Sequence, residues 1–217
     1  KHLDALLKSG IKIVFLLQSS YDFRLLEDHL RPGIDFLLLN ELYSFRKALE
    51  EFFSDSHQIF YIANAANRTW AEARMNLCRT FCRERGIPFH FLESSYLWLN
   101  DSMTQRNVLN INDESIKRFK KAVARKGKIV CFCSNDYTAF SFITKLKEHK
   151  IDPTCYEIVG FDNNTEFRSL HFSSFTRDPL PQAQALLKLY QDFIRDPENI
   201  LHRGTGITTY ARFIKRH

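Results

Sequence analysis

The stretch IVCFCSNDYTA, residues 129–139, decides the fold. Its five apolar residues, Ile129–Cys133, have the length of a buried strand. Ser134, Asn135 and Asp136 follow at once. Asn135 and Asp136 are both residue types that cap a helix N-terminus, and the pattern beyond them predicts a helix over Asp136–Lys150. The same unit recurs outward. Upstream, Ile59–Ala63 predicts a strand, then a polar loop, then a helix from Thr69 to about Arg85. Thr69 and Glu72 form a capping-box pattern, and Gly86 with Pro88 ends that helix. A short strand, Phe89–Leu92, an irregular stretch and a helix over Asp113–Arg125 lead back to Ile129. Downstream, Glu157–Phe161 predicts a strand that ends in Asp162, Asn163 and Asn164.

The outer segments keep the alternation. A helix at Lys1–Ser9 precedes a strand at Ile11–Leu17 and an apolar run at Phe36–Leu39. Leu42, Phe45, Leu49 and Phe52 then recur at helical spacing. Leu180–Ile194 predicts the last helix, with Leu180, Ala183, Leu187, Tyr190 and Ile194 on one stripe, and Ile207–Ile214 a final strand. Short strands alternating with helices mean βα units and an α/β fold with mainly parallel sheets. Such sheets place ligands at the carboxyl ends of their strands.

Composition narrows the classes. The chain has 217 residues, 44% hydrophobic and 26% charged, which is a globular balance with room for one large domain or two lobes. No run approaches the roughly 18 apolar residues that a membrane span needs, so no membrane partner is expected. Twenty Phe against seven Gly disfavours a barrel or sandwich of many tight hairpins. The absence of a glycine-rich phosphate loop argues against a P-loop enzyme or a dinucleotide-binding dehydrogenase. A net charge of +6 invites a nucleic-acid reading. Its densest run is Lys117, Arg118, Lys120, Lys121, Arg125, Lys126 and Lys128, with Ile116, Phe119 and Val123 interleaved at helical spacing. That run reads first as the solvated face of a helix and second as a phosphate-binding face.

Five cysteines form no dense framework, which fits a reducing cytoplasm. Cys78 and Cys82 lie four apart on a helix, and Cys131 and Cys133 share one face of a strand. Neither pair has the usual zinc-loop spacing, and both read as buried thiols. His57, His90, His149 and His171 show no metal spacing, and there is no nucleophile elbow. No metal, cofactor or catalytic residue is expected, and nothing in the sequence requires an enzyme.

The strand ends carry a resemblance. Ile129–Ala139 is similar to the strand–Asn-Asp–x-x-Ala segment of the lactose repressor/galactose repressor (LacI/GalR) family. Lys147, Ile151, Pro153 and the run EIVGFD, residues 157–162, resemble that family's next segment, where a proline precedes a Val-Gly-Phe-Asp strand end. Arg74 falls where the family has its effector-binding arginine. His57 resembles the start of a family strand, Phe172–Phe175 its Leu-Thr-Thr-Val crossover, and Arg216 its terminal Arg-Ser/Thr. The resemblance follows nearly the whole chain in order. Several positions depart from the pattern: Lys12 for Pro, Asn40 for Asp, Ser56 for Gly, Leu77 for Gly and Asn163 for Asp.

The resemblance implies two Rossmann-like lobes of the periplasmic-binding-protein type that close on a small effector, commonly a sugar. Arg74, Asn135 and Asp162 match the effector-binding positions, and their chemistry suits a polyol. A guanidinium donates two parallel bonds to neighbouring hydroxyls. A carboxylate accepts from hydroxyls, and an amide does both. Trp70, one helical turn before Arg74, is positioned to stack on the apolar face of a sugar ring or to pack under the neighbouring loop. Tyr96 and Trp98 lie in the irregular stretch, where the family places another pocket aromatic; the alternative is core filling.

Matched to the family, residues 1–39 and 177–205 are expected as the remnant of an incomplete N-terminal lobe. Residues 40–176 and 206–217 are expected as the C-terminal lobe. The implied function is the effector-binding and dimerisation module of a cytoplasmic bacterial transcription regulator. It would be a homodimer and would touch DNA through a domain outside this chain, of lactose-repressor, winged-helix or arabinose-regulator type. A sugar-binding protein of a transporter shares the architecture and is the alternative; the cysteines and the lack of an export signal count against it.

Overall fold

A computed structural model describes residues 2–17, 34–52, 58–64, 69–98, 107–125, 127–176, 179–198 and 206–216. The chain runs through α1 (His2–Lys8), β1 (Ile13–Leu17), β2 (Ile34–Asn40), α2 (Glu41–Phe52), β3 (Gln58–Asn64) and α3 (Thr69–Arg85). It continues through β4 (Phe89–Trp98), β5 (Asn107–Ile111), α4 (Asp113–Val123), β6 (Ile129–Cys133) and α5 (Asp136–Glu148). β7 (Tyr156–Phe161), β8 (Ser173–Thr176), α6 (Pro179–Arg195), β9 (Gly206–Tyr210) and β10 (Arg212–Ile214) complete it. The chain divides into a smaller unit, residues 1–44 and 177–212, and a larger one, residues 45–176 and 213–217.

The larger unit holds a seven-stranded sheet in the order β10-β8-β7-β6-β3-β4-β5. Its central pairs, β4 with β3, β3 with β6, β6 with β7 and β7 with β8, are all parallel. Helices cover both faces, so every residue of β6 is buried. Alternation sorts the side chains of β6 and its neighbours. Cys131 and Cys133 join Phe60, Phe119 and Phe142 in the core under α4 and α5. Val130 and Phe132 join Phe45, Phe81 and Phe175 in the core under α2 and α3.

The high phenylalanine content has a structural outlet here. Phe45 meets the rings of Phe132, Phe161 and Phe175 edge-on at 5.0, 5.3 and 5.8 Å. Phe119 does the same to Phe60 and Phe142, a geometry that the ring quadrupole favours. Cys78 and Cys82 belong to the second core and Cys131 and Cys133 to the first, so the four thiols do not converge.

The basic run lies on and just after α4. Ile116, Phe119 and Ala122 turn inward while Lys117, Arg118, Lys120 and Lys121 are exposed. Asn112 caps this helix, its Oδ1 accepting the Ser115 N–H at 2.7 Å. Asn112→Ala should lower stability by about 1 kcal/mol in denaturant unfolding; an unchanged midpoint would show that the cap carries no weight.

The smaller unit holds a three-stranded sheet, β1-β2-β9, in which both pairs are parallel. Lys12 pairs with the buried Asp35 at 3.0 Å. Lys12 departs from the family's proline, and Asp35 gives it a role.

Two expectations are corrected, and a third element is given its facing. Phe89–Leu92 extends to Trp98 and pairs antiparallel with β5, so the expected irregular stretch begins and ends in a hairpin. Ile207–Ile214 is two strands in two sheets, β9 beside β2 and β10 at the edge of the larger sheet. Residues 206–210 therefore pair within the smaller unit, and Ser44 joins them there by donating to the Ala211 carbonyl at 2.6 Å. Finally, the α6 stripe faces outward, with Leu180, Leu187, Tyr190 and Ile194 exposed and Leu189 buried.

Candidate functional site

β7, β6 and β3 are neighbours in the larger sheet and run parallel. Their carboxyl ends therefore form one edge, and each delivers one of the expected residues there. β6 leads directly into Asn135, β7 leads directly into Asp162, and β3 leads to α3, which carries Arg74 and Trp70.

Arg74 is 1% exposed. Its Nη1 donates to the Ser134 carbonyl at 2.8 Å. Its guanidinium lies 3.9 Å from the centre of the Phe161 ring and 4.7 Å from that of Trp70. Burying a guanidinium is costly unless bonds and ring faces replace water. Here both do, and they hold the plane of the group. The bonds also locate it: Ser134 immediately precedes Asn135, and Phe161 immediately precedes Asp162. The structure thus brings Arg74, Trp70, Asn135 and Asp162 to one place.

Asn135 caps α5, its Oδ1 accepting from the Thr138 N–H and the Thr138 hydroxyl, both at 2.8 Å. The side-chain oxygen is thereby turned inward, leaving the Nδ2 amide as the group it can offer as a donor. Asp162 and Asn163 both have left-handed backbones, φ 95° and 50°. Asn tolerates that region better than most residues. The loop is tied from below. The Asp162 N–H donates to the Phe175 carbonyl at 2.9 Å, and the Asn163 N–H to the Ser174 hydroxyl at 3.1 Å. The Asn163 side-chain carbonyl accepts from Arg216, which gives this departure from a second Asp a structural partner.

Asp136, which the sequence offers as an alternative cap, has a part that no local signal shows: its carboxylate reaches across to the loop after β7. Oδ2 accepts the Asn164 N–H at 2.7 Å and Oδ1 accepts from the Ser174 hydroxyl at 2.6 Å. The side chain is fully buried. Burial pushes its carboxyl up to about 6, against the opposing pull of the Ser174 and Asn164 bonds. The available signal was an ionisable residue directly after a strand and cap, opposite the Ser173-Ser174 pair.

Gly160 completes the arrangement. A Cβ there would stand 2.2 Å from Asp136 Oδ1 and 3.0 Å from the Phe172 ring. Gly160→Ala should therefore cost about 2 kcal/mol through overpacking, read as a lower denaturation midpoint. A variant as stable as the parent would show that Asp136 can move aside.

Tyr96 and Trp98 stand on β4, opposite Leu109 and Asn107 of β5. Their side chains lie outside the described residues, as do Ser56, His57 and the side chain of Thr69. Leu77 is half-buried against the core under α3.

No sequence-family model matches the chain, and no curated protein sequence does. Solved structures do. One is a periplasmic binding protein/LacI transcriptional regulator from Alkaliphilus metalliredigens, complexed with D-xylulofuranose. It is 16% identical at a TM-score of 0.58, over 100% of this chain and 80% of that one. A LacI-family regulator from Enterococcus faecium with bound ribose is 17% identical, TM-score 0.57, over 99% and 81%. A LacI-family regulator from Silicibacter pomeroyi gives a TM-score of 0.63 at 16% identity, over 98% of this chain and 59% of that one. The fold is that of LacI-type regulators. The periplasmic-binding-protein-like α/β architecture expected from residues 129–162 is thereby borne out, and the similar structures are regulators rather than enzymes. Among the described residues, no helix is long and apolar enough to cross a membrane.

Proposed function

We propose that the chain is the effector-binding module of a transcription regulator and that its effector is a small sugar. One observation carries this reading: a buried, plane-locked guanidinium at the edge where an amide and a carboxylate leave the two adjacent strands. Arg74 would donate to neighbouring hydroxyls, Asp162 would accept from them, and Asn135 would donate through Nδ2. Trp70 would lie against the apolar face of the ring. Tyr96 and Trp98 remain our candidates for a second aromatic wall. Sugars bound to proteins of this fold, D-xylulofuranose and ribose, support the choice of ligand class.

The effector would act by binding one of two conformations better than the other, biasing DNA affinity in a domain outside this chain. We assign a cytoplasmic setting and a homodimer on the same basis. Tyr137 and Phe140, 49% and 42% exposed, project from α5 around Phe167 and offer an aromatic patch for a second copy. Phe140→Glu should then convert the dimer to a monomer in sedimentation; an unchanged mass would place the dimer contact elsewhere.

The smaller unit reads as part of an N-terminal lobe. β1 is a sheet edge, and Ile11, Leu187 and Tyr190 are exposed around a groove of about 740 Å³.

A thermal-shift screen of pentoses and hexoses tests the assignment. At least one should raise the melting temperature in a saturable way. A panel without any stabiliser would contradict the sugar reading.

A further inference from the structure

Ser174 stands between the buried carboxyl of Asp136 and the loop that carries Asp162. Its hydroxyl has one proton and two acceptors: Asp136 Oδ1 at 2.6 Å and the Phe175 carbonyl at 3.4 Å. That carbonyl also accepts the Asp162 N–H at 2.9 Å. The hydroxyl oxygen itself accepts the Asn163 N–H at 3.1 Å, and Asp136 Oδ2 accepts the Asn164 N–H at 2.7 Å. One carboxyl and one hydroxyl are thus linked, directly or through one carbonyl, to three consecutive backbone N–H groups.

This pattern has two self-consistent settings. With Asp136 ionised, the Ser174 proton goes to the nearer acceptor, Oδ1, and the Phe175 carbonyl is left to the Asp162 N–H. With Asp136 protonated, only Oδ1 has a partner for the new proton, because it faces a hydroxyl oxygen whereas Oδ2 faces an N–H. Ser174 Oγ then accepts two bonds with its two lone pairs and turns its own proton to the Phe175 carbonyl. Ser174 and Asp162 then share that carbonyl, and the bond that seats Asp162 is changed.

The groups around Asp136 set when this happens. Burial opposes its ionisation most, Asp162 opposes it further, and Arg216, beyond β10, favours it. Cys133, at the end of β6, is a neutral neighbour, its thiol pushed up by burial and by Asp136. β7 and β8 present Gly160 and Ser174, which carry no charge.

We propose that Asp136 is a proton-sensitive positioning residue for Asp162: its proton switches the Ser174 hydroxyl between Oδ1 and the Phe175 carbonyl and so resets the seat of Asp162. The relay belongs to the free protein; its bearing on the effector rests on the sugar reading.

Amide spectra of the free chain across about pH 5 to 8 test it. The Asp162, Asn163 and Asn164 amides should shift together, with one midpoint near 6. In Asp136→Asn all three should lose that midpoint. In Ser174→Ala the Asn164 amide should still titrate, because its bond to Oδ2 is direct, while the Asp162 amide should not. An Asp162 amide that does not titrate in the parent overturns the relay, whether or not either variant folds. So does a midpoint kept in Asp136→Asn, or an Asp162 amide that titrates in Ser174→Ala as it does in the parent. No sugar is present, so these outcomes judge the relay and the thermal-shift screen judges the sugar reading.

Discussion

Arg74→Ala should abolish sugar-dependent stabilisation and raise the Kd of the stabilising sugar by at least about 100-fold. The magnitude follows from bonding. Two charge-assisted hydrogen bonds to adjacent hydroxyls contribute about 3 kcal/mol together, and every 1.4 kcal/mol is about tenfold in affinity. The guanidinium cannot be replaced by movement elsewhere, because Phe161, Trp70 and the Ser134 carbonyl set its plane. Loss of packing between two rings could also disturb the fold, so Arg74→Lys provides the second arm. It keeps the charge and most of the volume but offers a point donor instead of a fork. Its affinity should fall at least about tenfold with the melting temperature of the free protein little changed. Parental affinity in either variant would remove Arg74 from the site.

Asp136→Asn changes how stability depends on pH. The native carboxyl sits at about 6, above its ordinary value of 3.8, so the folded protein holds this proton to higher pH than the unfolded chain does. The stabilisation is fully present below about pH 4 and is lost as pH rises through about 6. Asparagine does not titrate, so this contribution is the same at every pH in the variant. The stability of Asp136→Asn relative to the parent should therefore rise by about 3 kcal/mol between pH 4 and pH 7, in denaturant unfolding. Taking the difference cancels the other carboxyls, which the two proteins share. Parallel curves would show that Asp136 is not perturbed. Asp136→Ala serves as the contrasting case: it leaves the Ser174 hydroxyl and the Asn164 N–H without their acceptor and should destabilise by about 2–4 kcal/mol.

Much of this arrangement is legible along the chain because its signals are local. The β6–α5 unit declares itself through five apolar residues followed by a cap, and the structure gives the strand the same bounds. The helix over Thr69–Arg85 also keeps its bounds, since Gly86 supplies the left-handed residue that ends it. What escaped lacked a local signal. β4 and β5 pair as neighbours in the chain, but Ser94 and Ser95 interrupt the apolar run that would have announced the longer strand. The break at Ala211 between β9 and β10 carries no glycine or proline; only the pairing of β9 with β2 reveals it. The stripe on α6 is a correct periodicity whose facing could not be read from periodicity alone.

The candidate site divides in the same way. Arg74, Asn135 and Asp162 could be named from motif positions, and adjacent parallel strands explain why such distant residues meet. Asp136 and Gly160 could not be ranked without the fold. Their importance lies in the space between them, where a single Cβ would occupy the position of a carboxylate oxygen. Two sequence departures also become intelligible as pairs, Lys12 with Asp35 and Asn163 with Arg216.

The central claim is that a sugar binds at the carboxyl ends of β3, β6 and β7. Titration of the isotopically labelled chain with the stabilising sugar, followed by amide and indole spectra, tests it most directly. Saturable shifts are expected at the Trp70 indole, at the Asn135 and Asp162 amides, and at their neighbours on that edge. Saturable binding that leaves those signals in place would contradict it.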